Sequence, residues 1–239
     1  MKQSLIYATA LFLTLTACRK DDDTTTTTTE VAEVSTQNTN DDAAIQKYLD
    51  EHYFDAQGKV VAFSSTTTSD DNYTKLANLN PQKLASGVVV IVRDGAQPTA
   101  GTEIGETDVL RLMQKTTAFL STEAGAYSSE INFSNSVENT GTLDIDPIYY
   151  YVKESILSST GNARSYYEIE GLKEGMKYFQ SFDKADSENY NLQGVIIVPS
   201  RAAFARDSHY PYSGTSWRNR TFVFNFQVYK STKRTAEQN

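Results

Sequence analysis

Apolar positions follow two rhythms along the chain. Ala44, Ile45, Tyr48, Leu49 and then His52 or Tyr53 recur at helical spacing, and Asp41 or Asp42 stands where a helix cap belongs. Gln57-Gly58-Lys59 turns the chain into Val60-Val61-Ala62-Phe63, a short strand, and residues 64–80 carry the Ser, Thr, Asp and Asn of a loop. The run GVVVIVRDG from Gly87 predicts a buried strand closed by Asp94-Gly95. Residues 97–106, with Pro98, Gly101 and Gly105, predict turns, and TDVLRLMQ over residues 107–114 predicts another strand. Between 121 and 165 polar residues break up short apolar pieces; Ile131-Asn132-Phe133 and Ile148-Tyr149-Tyr150-Tyr151-Val152 predict one or two strands with long loops. Leu172, Met176 and Phe179 mark an amphipathic helix over residues 171–182. Residues 192–198 (LQGVIIV) form a strand, and residues 220–230 the longest one, with Phe222, Phe224, Phe226 and Val228 on one face. Strands gathered around one helix imply an α+β domain.

The N-terminal pattern differs. Lys2 precedes an apolar run from Leu5 to Leu15, the arrangement of a secretion signal and too short for a membrane span. Leu15-Thr16-Ala17-Cys18 resembles a lipoprotein box, which implies cleavage after residue 17 and fatty acylation of Cys18. A polar segment with six consecutive threonines follows, so residues 18–40 read as a disordered tether, a coil of roughly 25 Å mean reach. Lys20-Asp21-Asp22 resembles an export tag of outer-face lipoproteins and reads equally as a solvated charge run. These features predict a cell-envelope protein held to a membrane through its N-terminal lipid.

Composition narrows the chemistry. A formal net charge of -8 over 239 residues argues against nucleic acid as a partner. The one cysteine, Cys18, forbids an intrachain disulfide, and two histidines, His52 and His209, do not make a His-rich metal site. No metal or other cofactor is expected. Gly-x-Ser-x-Gly, Walker-type and dinucleotide fingerprints are absent. The Ser-rich stretch 212–216 has only His209 nearby as a base and reads as surface loop, and Asp144, Asp146 and Glu154 read as solvated acids rather than a catalytic carboxylate pair.

Three stretches, in order, resemble the FKBP-type peptidyl-prolyl cis-trans isomerases. Ile169-Glu170-Gly171-Leu172-Lys173-Glu174-Gly175-Met176 resembles the family's helix opening. Residues 194–205 (GVIIVPSRAAFA) are similar to its strand ending in Ile-Pro-x-x-x-Ala-Tyr-Gly, and residues 221–228 (TFVFNFQV) to its closing strand. The resemblance implies a half-wrapped antiparallel sheet around one helix over residues 87–232, with a shallow apolar cleft between them and residues 41–86 as a helix-and-strand extension. It further implies a substrate site at Ile169, whose backbone N–H would bind the substrate carbonyl, at Leu172 on the floor, and at Phe204 and Phe224. Met113, Phe133, Ser134 and Ile148 fall on further pocket positions, and Trp217 with Tyr210 and Tyr212 supplies loop aromatics able to form a wall.

Several positions depart from the family pattern. Leu172 stands for the floor tryptophan, Phe204 lacks a tyrosine hydroxyl, Ser134 lacks a carboxylate and Ala205 replaces a glycine. The twisted amide of a rotating prolyl bond needs only a dry cradle and a fixed donor, so a chain poor in His and Cys is compatible with that chemistry. The expected function is a lipid-anchored isomerase that acts on proline-containing polypeptides and assists folding of exported proteins, with activity reduced by these departures. The alternatives are an FKBP-like module that binds an envelope or surface protein without catalysis, and a purely structural lipoprotein.

Overall fold

A computed structural model of the chain describes residues 32–239. The features expected over residues 1–31, including the signal segment, Cys18 and most of the tether, lie outside the described residues. In chain order the helices are α1 (Val34–Glu51), α2 (Glu154–Thr160) and α3 (Glu170–Met176). The strands are β1 (His52–Phe54), β2 (Val60–Ala62), β3 (Gln82–Lys83), β4 (Val89–Val92), β5 (Thr102–Glu103), β6 (Val109–Leu120), β7 (Ile131–Asn135), β8 (Asp144–Ile145), β9 (Gln180–Ser181), β10 (Gly194–Val198) and β11 (Arg220–Thr232). The main sheet runs β3-β4-β10-β11-β6-β7, with β8 pairing the start of β6, and every pairing is antiparallel. The class is α+β: helices against an antiparallel sheet.

Strand β11 shows why both faces of this sheet are dry. Phe222, Phe224, Phe226 and Val228 point to one face, where α3 contributes Leu172 and Met176. Val223 points to the other, where α1 lays Ala44, Ile45, Tyr48 and Leu49 against Val195, Ile197 and Phe119. With a helix on each side, β10 is buried at every position, and its sequence is correspondingly a continuous aliphatic run. The polar residue at the middle of β11 is satisfied: Asn225 Oδ1 accepts from Val60 N (2.9 Å), and its Nδ2 donates to the carbonyls of Gly58 (2.9 Å) and Gly194 (2.8 Å). Asn225 thereby fastens the β1–β2 hairpin to the sheet.

Helix α3 can press onto the sheet because its inner face carries two glycines. A Cβ at Gly171 would meet Val198 Cγ1 at 2.5 Å and Val88 Cγ2 at 2.8 Å, and one at Gly175 would meet Ile196 Cγ2 at 2.6 Å. Gly175→Ala is therefore expected to lower stability by about 1–3 kcal/mol through overpacking, read from the midpoint of urea unfolding; an unchanged midpoint would contradict this close approach.

Five sequence expectations are corrected. Helix α1 starts at Val34, so residues 34–40 are not coil. Asp41 is no cap but a fully buried mid-helix carboxylate, which accepts from Gln37 Nε2 (2.8 Å), Ser200 N (2.9 Å) and Ser200 Oγ (2.5 Å). Arg201 adds an ion pair to Asp42 (2.6 Å), and these tertiary bonds hold a helical turn whose own sequence is polar. Residues 148–152 form turns rather than a strand: Asp146 has φ 53° and Pro147 follows it, and Tyr150 N bonds Pro147 O (2.9 Å). Finally, α3 ends at Met176, with Phe179 buried beyond it, and β6 continues past residue 114 to Leu120. Among the described residues no helix is long and apolar enough to cross a membrane.

Candidate functional site

The N-terminus of α3 is set by an ionic knot. Glu168 is buried, and its carboxylate accepts from Val152 N (2.7 Å), Arg164 Nη1 (2.9 Å) and Lys173 Nζ (2.6 Å). This draws the 149–152 turn against the residue before the helix. There Ile169, fully buried, donates its backbone N–H to Tyr149 O at 2.8 Å. The amide expected to hold a substrate carbonyl is thus committed to the chain's own backbone, which corrects the role assigned to Ile169.

The other expected residues divide into a floor and a groove. Leu172, Phe204, Phe224 and Trp217 are each 2% exposed or less and belong to the core between α3 and the sheet. Trp217 packs edge-on against Phe133 (5.0 Å between centroids, 87°) and donates its indole N–H to Tyr212 O (3.1 Å). Its backbone N–H donates to His209 Nε2 (2.7 Å), so the His209 ring carries its proton on Nδ1, which faces Tyr210 O at 2.8 Å. The same ring stacks on Phe204 (4.5 Å). Ala205 has φ 48°, the left-handed conformation that suits glycine, at the position where the resembling family carries one.

Above this floor lies an open groove of about 430 Å³, lined by Phe133, Ser134, Asp144, Ile145, Asp146, Pro147, Ile148, Tyr149, Tyr210, Tyr212 and Ser213. Phe133, Ser134 and Ile148 thus line one groove. A slip in the β6–β7 register, with Thr116 opposite Ser134 and Thr117 opposite Asn132, leaves Phe133 as the extra residue. That bulge lets two neighbours both line the groove. Met113 does not join them: it lies with Leu143 and Tyr229 in a separate cluster. Strand alternation gives the groove-side place to Gln114, which donates to Asp144 Oδ2 (2.5 Å) and to Tyr149 Oη.

Asp144, a solvated acid by its sequence context, lies in the groove. Strand β8 sets it opposite Leu112 on β6, and Ser134 Oγ donates to its Oδ2 at 2.5 Å. A carboxylate thus stands beside Ser134, the position whose own side chain lacks one. Nothing in the local sequence around residue 144 signals this pairing, which depends on β8 returning to β6. Asp146 is ion-paired with Arg234 (Nη1, 3.0 Å) and Lys153 (3.5 Å).

Burial, joined by the Asp144 charge, raises the Tyr149 phenol far above its usual value of 10, and burial does the same to Tyr212. Burial pushes Tyr229 up to about 12. These phenols stay neutral in the fold while those of the unfolded chain ionise near pH 10, so the stability they contribute is complete below pH 10 and is lost as pH rises above it. Alkaline titration is expected to show tyrosinate absorbance for the buried rings appearing together with loss of circular dichroism. Smooth ionisation of every tyrosine near pH 10 in a folded chain would contradict the burial.

The groove offers shape, aromatic surface and two carboxylates, Asp144 and Asp146, with the Ser134 hydroxyl donating to the first of them. Among the described residues no three or more His, Cys, Asp or Glu side chains are grouped to hold a metal ion.

No protein-family model matches the chain, and no curated protein matches it. Among solved structures it is similar to FkpA from Escherichia coli, with 17% identity and a TM-score of 0.36 over 64% of this chain and 51% of that one. The chain thus spans about half the length of FkpA. It is also similar to a peptidyl-prolyl cis-trans isomerase from Pseudomonas syringae pv. tomato, with 11% identity and a TM-score of 0.34 over 64% of this chain and 81% of that one.

Proposed function

We propose that this chain is an FKBP-like module of the peptidyl-prolyl isomerase type, which binds proline-containing polypeptide segments in its aromatic groove and isomerises them weakly. The observation that carries this reading is the pairing of an open groove walled by Phe133, Tyr149 and Tyr212 with an Ile169 N–H already bonded to Tyr149 O. A proline ring gains from burial against aromatic faces, whereas lowering the rotational barrier requires a donor that meets the twisted amide. The groove supplies the first, and the committed amide withholds the second. An anchor at Cys18 would hold the module at the cell envelope, where its clients are exported polypeptides in need of folding or a partner protein of the envelope surface.

The test is the cis-to-trans exchange rate of short Leu-Pro and Phe-Pro peptides, followed by NMR with catalytic amounts of the full chain. A saturable acceleration well below tenfold is the expected result. A large acceleration would overturn the assignment of weak catalysis and make Ile169 N–H exchangeable between Tyr149 and substrate. Neither binding nor acceleration with a folded chain would overturn the groove reading itself and favour a structural lipoprotein.

A further inference from the structure

The two acids in the groove are not electrically equivalent. Asp146 is neutralised by Arg234 and Lys153. The partners of Asp144 are the neutral side chains of Gln114 and Ser134, both bonded to Oδ2. Among the described residues no ammonium or guanidinium is within ion-pair distance of Asp144, so its negative charge reaches the groove uncompensated. Beside it the groove presents apolar surface still open to solvent: Ile145 is 51% exposed and Tyr210 40%. A carboxylate next to exposed aliphatic and aromatic surface fits a long cationic side chain, whose methylene stem covers the apolar part while its head meets the carboxylate. The net charge of -8 over the whole chain would steer the same kind of ligand towards it.

We propose that the groove selects polypeptide segments with lysine or arginine next to the bound proline, and that Asp144 is the specificity-determining residue. This rests on the binding reading above and adds the client's chemistry to it. The partner is a basic, proline-containing stretch of polypeptide.

Matched peptides that differ only in the residue preceding proline separate the two claims: lysine, norleucine, which has the same stem without the charge, and glutamate. Calorimetric titration of the full chain at low salt should rank lysine over norleucine by about tenfold, with glutamate weakest. Asp144→Asn should bring lysine and norleucine to equal affinity. Asp50→Asn removes the same charge from α1, on the opposite face of the sheet, and should leave the ranking intact. If Asp144→Asn fails to fold, the wild-type chain still decides, because half-molar salt must shrink the lysine preference. Equal affinities for lysine and norleucine peptides, or a preference that survives both Asp144→Asn and high salt, would overturn the inference and leave the groove reading standing. Failure of every proline peptide to bind would overturn both.

Discussion

Trp217→Ala is expected to cost about 3–5 kcal/mol of stability, the range for truncating a large buried aromatic side chain. The indole is 1% exposed and sits among Phe133, at 5.0 Å, and Phe222, at 5.7 Å. Its N–H to Tyr212 O is also lost, which frees a carbonyl on the groove wall. The damage should therefore be both global and local: a lower midpoint in urea, and faster hydrogen exchange across residues 206–219 than in the rest of the chain. Trp217→Phe keeps most of the volume and should recover about half of the loss. A cost under about 1 kcal/mol would mean that the side chain stands outside the core and is free to act as a mobile wall.

Glu168→Ala should be comparably severe, again about 3–5 kcal/mol, by a different mechanism. Its carboxylate is wholly buried, and removing it strands the Lys173 ammonium, itself only 13% exposed, together with the Val152 N–H. Glu168→Gln keeps an acceptor for Val152 N while losing the charge, so it should fall between wild type and Glu168→Ala. The readout specific to this site is the Ile169 amide, whose hydrogen exchange should accelerate as the 149–152 turn loosens. Equal stability of Glu168→Ala and wild type would show that the ionic knot does not hold the start of α3.

Much of the sheet was legible because β10 is an unbroken run of β-branched residues and β11 alternates Phe with other residues, patterns that favour a doubly covered strand and a strand in turn. The reach of α1 back to Val34 was not legible, since residues 34–40 are polar and Arg201, which bonds Asn38 O and Asp42, comes from a distant part of the chain. Within the candidate site, Phe133, Ser134 and Ile148 were found through the resemblance, and the groove gathers them. Met113 was misplaced by one residue, and in a strand one residue is the difference between faces, so Gln114 takes its place. The role given to Ile169 failed because the 148–152 segment, rich enough in aromatics to suggest a strand, instead turns and presents the Tyr149 carbonyl to it. Asp144 was overlooked because an acid in a polar loop is ordinarily solvated, and only the short β8 pairing with β6 brings it beside Ser134.

A proline segment is expected to occupy the groove and to leave the Ile169 amide bonded to Tyr149 O. Backbone amide NMR of the full chain during titration with a Leu-Pro peptide, and with its Leu-Ala counterpart, reads both. Saturable shifts are expected for the proline peptide alone, confined to the amides of residues 133–134, 144–146, 148–149, 210 and 212–213, with the Ile169 amide still protected from exchange at saturation. Identical shifts with both peptides, shifts elsewhere on the surface, or loss of Ile169 protection on binding would contradict this.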